Sequence, residues 1–142
     1  MKKSIILSFV ILICWVKSFS QKIRESDLPS PVKASFTKIY PGSSAKWEKE
    51  NENYEAGFKK DGKKMSAMFQ PDGTFMESET EIKESELPPA VVNYVKSNYP
   101  NKKIKESAKI NSAAGVMSYE AAIADKDLIF ESNGRFLMEV KN

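Results

Sequence analysis

The chain is written nearly twice over, and that repetition limits what it can fold into more than any other feature. From Glu25 it reads ESDLPSPVKASFTKIYP and from Glu84 it reads ESELPPAVVNYVKSNYP, an offset of 84 − 25 = 59 residues. Leu28, Pro29, Val32, Tyr40 and Pro41 recur as Leu87, Pro88, Val91, Tyr99 and Pro100. Further on, Tyr54-Glu55-Ala56 returns as Tyr119-Glu120-Ala121. The stretch FQPDGTF from Phe69 to Phe75 returns as FESNGRF from Phe130 to Phe136. A repeat of this length is one supersecondary unit used twice. Its recurring residues read as core and turn positions, not reactive ones.

Each unit opens as a helix. Pro29 and Pro88 suit a first helical turn, where a missing N–H costs nothing. Asp27 and Glu86 set negative charge near the helix start. Val32, Phe36 and Ile39, and later Val91 and Val95, follow at helical spacing. Tyr40-Pro41 and Tyr99-Pro100 close the helices, because proline biases the residue before it out of the helical region. The apolar period then falls to two. Asp61-Gly62, Pro71-Asp72-Gly73 and Ser132-Asn133-Gly134 mark tight turns between strands. The fourth strand of the first unit runs from Phe75 to Ile82, and that of the second from Phe136 to Val140. The expected fold is α+β, a tandem repeat of a helix followed by a four-stranded antiparallel meander. Residues 21–83 form the first unit and 84–142 the second. Half of the chain is marginal without a disulfide or a metal, so the two are expected to fold as one cooperative unit. The loop 111–115 lengthens the second unit between its first two strands and reads as a tolerated surface insertion.

The first twenty residues read as a signal peptide. Lys2 and Lys3 precede a mostly apolar run from Ser4 to Val16, and Ser18-Phe19-Ser20 offers a cleavage site before Gln21. The run is short for a membrane span and Lys17 interrupts it. Cleavage there removes Cys14, the one cysteine, and with it any disulfide or cysteine nucleophile. It also removes three lysines, leaving 19 basic against 19 acidic residues out of the original 22 and 19. A neutral chain lacks the basic footprint of a nucleic-acid binder. Lys59, Lys60, Lys63 and Lys64 around Asp61-Gly62 read as a solvated hairpin tip.

The chain contains no histidine, which removes the usual general base and the commonest metal ligand. Serine nucleophile motifs and glycine-rich phosphate loops are missing from it. Asp61 and Asp72 do not match a calcium loop. Glu48/Glu50 and Glu77/Glu79 lie two apart on strands, each pair on one face. With lysines nearby, they read as solvated strand faces rather than an acid–base pair. Neither an enzyme nor any cofactor or metal is expected.

The paired pattern L-P-x-x-V…Y-P, then Y-E-A, then F-x-x-x-G-x-F resembles the PepSY-like family of exported bacterial proteins, related in fold to the beta-lactamase inhibitor protein. The resemblance covers nearly all of Glu25 to Val140 in two copies. It implies that the two sheets join into one curved surface with the helices on one face. It also implies, by analogy with relatives that inhibit hydrolases or peptidases, a partner that is a protein. Strict alternation sends Phe69, Phe75, Phe130 and Phe136 toward the helices and Met68, Met76, Ile129 and Leu137 the other way. These four are the candidate partner-binding residues, gathered by a joined sheet into one apolar patch. The expectation is a periplasmic or secreted, non-enzymatic module that binds an envelope or extracellular protein through the open sheet face. Self-association stays open, and no membrane span is left after cleavage. The competing readings are a small-ligand or peptide carrier and a structural envelope component.

Overall fold

Two proline-led helices and nine strands make up the computed structural model, which describes residues 20–141. The expected signal peptide, Cys14 included, lies outside the described residues apart from Ser20. Helices α1 (Ser30–Ile39) and α2 (Pro89–Asn98) each follow a short 3-10 turn, Glu25–Asp27 and Glu84–Glu86. Pro29 and Pro88 stand one residue outside the helices as their caps, with extended ψ angles of 136° and 139°. Pro31 and Pro89 take the first-turn positions instead. The expected acidic residues serve the 3-10 turns rather than the helices: Glu86 accepts a hydrogen bond from the Lys83 N–H at 2.9 Å, and Asp27 pairs with Arg24 at 2.9 Å. The buried stripe of α1 advances four residues at a time through Val32, Phe36 and Tyr40. Ile39, expected on that stripe, is therefore left 39% exposed.

The strands are β1 (Gln21–Ile23), β2 (Lys46–Glu50), β3 (Asn53–Lys60), β4 (Lys63–Phe69), β5 (Phe75–Ile82), β6 (Glu106–Ser112), β7 (Met117–Ile123), β8 (Lys126–Glu131) and β9 (Phe136–Lys141). They form one open sheet in strict sequence order, every neighbouring pair antiparallel. Strand β1 was not foreseen in the sequence. Its three residues pair with β2, Ile23 opposite Trp47. The sheet is continuous where the sequence repeat starts again, because β5 pairs with β6 from Glu77↔Ser112 to Ile82↔Ser107.

Register shows that both helices cover the same face. Ala67 lies opposite Ser78, Ser78 opposite Asn111, and Ile82 opposite Ser107, which in turn faces Ala121. Ala67 belongs to the cluster under α1, with Val32, Phe36, Trp47, Phe58 and Phe69. Ala121 belongs to the cluster under α2, with Val91, Val95, Leu128 and Phe130. Phe69 and Phe130 are both fully buried. Phe36 meets Trp47 and Phe58 edge-on, with ring centroids 5.2 Å apart in both pairs, while Tyr94 stacks on Phe136 at 4.6 Å. The hydrophobic side is thus two clusters, one under each helix, set side by side on one sheet.

The recurring Asp/Asn-Gly of the F-x-x-x-G-x-F stretch has a steric cause. Gly73 and Gly134 have φ of +86° and +85°, and each lies against the start of its own helix. A Cβ on Gly73 would meet the Pro31 carbonyl oxygen at 2.5 Å, and one on Gly134 would meet the Ala90 Cβ at 2.8 Å. The residue before each glycine closes the same turn: Asp72 accepts from the Thr74 N–H and Asn133 from the Arg135 N–H, both at 2.9 Å.

Candidate functional site

The face without helices is built from residues that the sequence pattern assigns to solvent. Following the register, one row across it reads Glu48, Glu55, Met68, Glu77, Ser112. The next reads Lys46, Gly57, Ser66, Glu79, Ile110, Ser118, Glu131, and a third reads Glu81, Ala108, Glu120, Ile129, Met138. Small side chains dominate the middle of the sheet. Gly57, Ser66 and Ala108 leave a hollow of about 270 Å³, lined as well by Glu55, Glu79, Glu81, Glu106 and Glu120. A second, more open depression of about 900 Å³ adjoins it and shares Glu55, Gly57 and Lys64. It reaches Gly42, Ser43 and Ser44 after α1.

The electrostatics of the hollow are one-sided. Lys64 is its one lining cation, and its Nζ is already paired with Glu81 at 3.2 Å. Burial, followed by the charges of Glu50, Glu48 and Glu79, pushes the Glu55 carboxyl up to about 8, against a small downward pull from the Ser66 hydroxyl. Glu79 and Glu120 are also held well above the ordinary carboxylate range. In both, burial is the largest cause. Glu77, Asp127 and Glu106 add their repulsion to Glu79, and Glu79 leads the repulsion on Glu120. Glu50 is shifted in the same direction by burial and by Glu48. Side chains that repel one another across neighbouring strands cost the free protein stability. Strongly shifted carboxylates in a concave site are a common feature of functional sites.

Two readings made from the sequence change here. Glu50 and Glu77 are not solvated, since each is 8% exposed. The recurring residues are not all core and turn positions either, because Glu55 and Glu120 are the matching acids of the two Tyr-Glu-Ala triplets, and both line the hollow. A charge kept at the same strand position in both copies was the available signal.

The candidate residues Met68, Met76, Ile129 and Leu137 come together as two pairs rather than as one patch. Alternation fails at a β-bulge in each repeat. Met68 faces Glu77 and Phe69 faces Phe75, so Met76 is the extra residue. Ile129 faces Met138 and Phe130 faces Phe136, so Leu137 is the extra residue. Strands β6 and β7 separate the two bulges, about 14 Å at ordinary strand spacing between β5 and β8. Met68 and Ile129 are almost fully buried at 2% and 3% exposure. Met76 is half-buried, and only Leu137, with the adjacent Met138, stands in solvent. The expected loop 111–115 begins two residues later than the sequence suggests, since Asn111 and Ser112 still belong to β6. The turn is tied to the first bulge, where the Ala113 N–H donates to the Met76 carbonyl at 2.7 Å.

Among the described residues, no group of three or more Asp, Glu, His or Cys is arranged to hold a metal ion. No helix among them is long and apolar enough to cross a membrane. Several solved structures share the fold. A predicted periplasmic protein of Bacteroides eggerthii superposes with a TM-score of 0.71 at 18% identity, covering 80% of this chain and 88% of its own. A DUF2874 family protein of Bacteroides ovatus gives 0.70 at 20% identity, over 80% and 87%. A BLIP-like protein of Bacteroides fragilis gives 0.65 at 23% identity, over 80% and 86%. At these identities the likeness is one of fold. No curated protein matches the sequence. The family model described as PepSY-like, predicted to be beta-lactamase-inhibitor-like, matches residues 14–66 and again 53–138. With two overlapping matches spanning most of its length, the chain belongs to the PepSY-like family.

Proposed function

We infer that this chain is an exported, non-enzymatic binding module, made of two helix-plus-four-strand units, that holds a partner protein on the open face of its sheet. One observation carries the reading. The face left bare by both helices has a hollow lined by carboxylates whose mutual repulsion and burial make the empty state costly. Export is supported by the signal-like first twenty residues and by relatives predicted to be periplasmic. The sequence has no histidine, the usual general base, and no serine nucleophile motif or glycine-rich phosphate loop. The beta-lactamase-inhibitor likeness of the family makes a hydrolase the first class of partner to try. A carrier of small apolar ligands is less well supported, because carboxylates rather than apolar side chains line the hollow.

The test is site-specific photo-crosslinking in envelope extract. A photoreactive residue replaces Glu81 or Lys59 on the open face, or Lys38 on the outer side of α1, all three exposed. Adducts to a protein from positions 81 and 59, and none from 38, are expected. Adducts confined to position 38 refute the reading.

A further inference from the structure

The chemistry of the partner can be taken one step further, on the premise that the open face is the binding surface. We propose that the hollow between Glu55, Glu79 and Glu120 receives an arginine side chain carried by the partner protein. Charge complementarity carries the first part of the argument. Five carboxylates line the hollow against one ammonium group, and that ammonium is committed to Glu81. Glu79 and Glu120 both line the hollow, and what acts on them is burial and the charges of neighbouring carboxylates, which an incoming cation would offset. A guanidinium brings several donors in a planar fork, and it sheds its hydration more readily than an ammonium does.

Volume carries the second part. At about 270 Å³ the hollow falls below the roughly 300–1,000 Å³ typical of sites for whole small ligands, and so suits one long side chain. The adjoining depression of about 900 Å³ is where the backbone bearing that side chain lies, along the Gly42–Ser44 segment and Glu55. A free cation has no use for the second depression, whereas a protein-borne arginine fills both. Glu79 on β5 stands two strands from Glu120 on β7, about 10 Å at ordinary strand spacing, and the two are the pair that a single planar fork would bridge, while Glu55 on β3 lines both the hollow and the adjoining depression.

The experiment titrates the ¹⁵N-labelled protein with N-acetyl-arginine amide, its neutral isostere N-acetyl-citrulline amide, a Gly-Arg-Gly amide tripeptide, sodium chloride and calcium chloride. Chemical shifts of the Gly57, Ser66 and Ala108 amides are followed. Expected are saturable shifts with the arginine amide and none with citrulline, at least threefold tighter binding of the tripeptide, and at least tenfold weaker binding by the Glu79→Gln, Glu120→Gln variant. Binding also tightens from pH 5.5 to 8.5, as the acids give up their protons. The spectrum of the variant itself shows that it is folded. A citrulline response equal to arginine, or saturation by calcium alone at the same amides, overturns the proposal. Equal affinity of the amide and the tripeptide overturns its protein-borne part. If crosslinks from position 81 persist unchanged in the Glu79→Gln, Glu120→Gln variant, the open face still binds a partner and the arginine assignment is wrong.

Discussion

Raising the pH from 5 to 8.5 should destabilise this protein, and the Glu55 carboxyl shows by how much. Its pKa moves from an ordinary 4.5 in the unfolded chain to about 8 in the folded one. Between those values the folded protein keeps a proton that the unfolded chain has lost. Each step upward in pH across that window therefore favours unfolding. Below about 4.5 the contribution is fully present, and above 8 it is gone. At about 1.4 kcal/mol per pH unit, the gap corresponds to about 5 kcal/mol as an upper bound. The hollow is open to water and counterions, which weaken such repulsions, so about 1–3 kcal/mol is the realistic loss. Glu79 and Glu120 are shifted the same way and add to it. For a domain of this size the melting temperature should fall by about 5–10 °C. Urea unfolding at constant ionic strength, followed by the fluorescence of Trp47 in the first cluster, measures it directly. Glu55→Gln keeps the shape and removes the titration, so it should flatten the slope and gain stability at pH 8.5. Equal or greater wild-type stability at pH 8.5, or an unchanged slope in the variant, would refute the account of the hollow as a set of repelling, desolvated acids.

Other substitutions test the packing. Phe69→Ala and Phe130→Ala, each emptying a fully buried position, should each cost about 3–5 kcal/mol in a single urea transition. Two separate transitions would show that the two clusters fold independently. Gly73→Ala should cost about 2 kcal/mol or more, because both its φ and the Pro31 carbonyl stand in the way. Gly42→Ala, with φ +78° but open space around it, should cost about 1 kcal/mol by the same measurement. Met68→Ser should lower stability by about 2–3 kcal/mol while Leu137→Ser leaves it nearly unchanged, since one is 2% and the other 43% exposed.

Helices, strands and turns were legible because the repeat displays each signal twice, and a glycine or proline punctuates most element ends. The bulges were not. Nothing in Phe75-Met76-Glu77 or Phe136-Leu137-Met138 breaks the apolar pattern, so alternation continued through them and gathered Met76 and Leu137 into one patch with Met68 and Ile129. The hollow was hidden for a different reason. Glu55, Glu79 and Glu120 are far apart in sequence, and each stands at an alternating strand position that looks like any wet strand face. Register alone brings them over Gly57, Ser66 and Ala108, whose small size lets the acids sink. Strand β1 fell below notice because three residues are too few to show a period.

The strict sequence order of the nine strands has a consequence for how the chain reaches this structure. Six of the eight strand pairs are hairpins closed by short turns, and the other two, β1–β2 and β5–β6, each wait on one helix. No strand must search past a later one for its neighbour. Loop-closure entropy is therefore spent in small instalments along the chain, and the mean sequence separation of contacts is low for a protein so rich in sheet. Such a topology favours rapid collapse in either direction from any early hairpin, with the Asp61-Gly62 turn between β3 and β4, at φ of 51° and 77°, already shaped to start it.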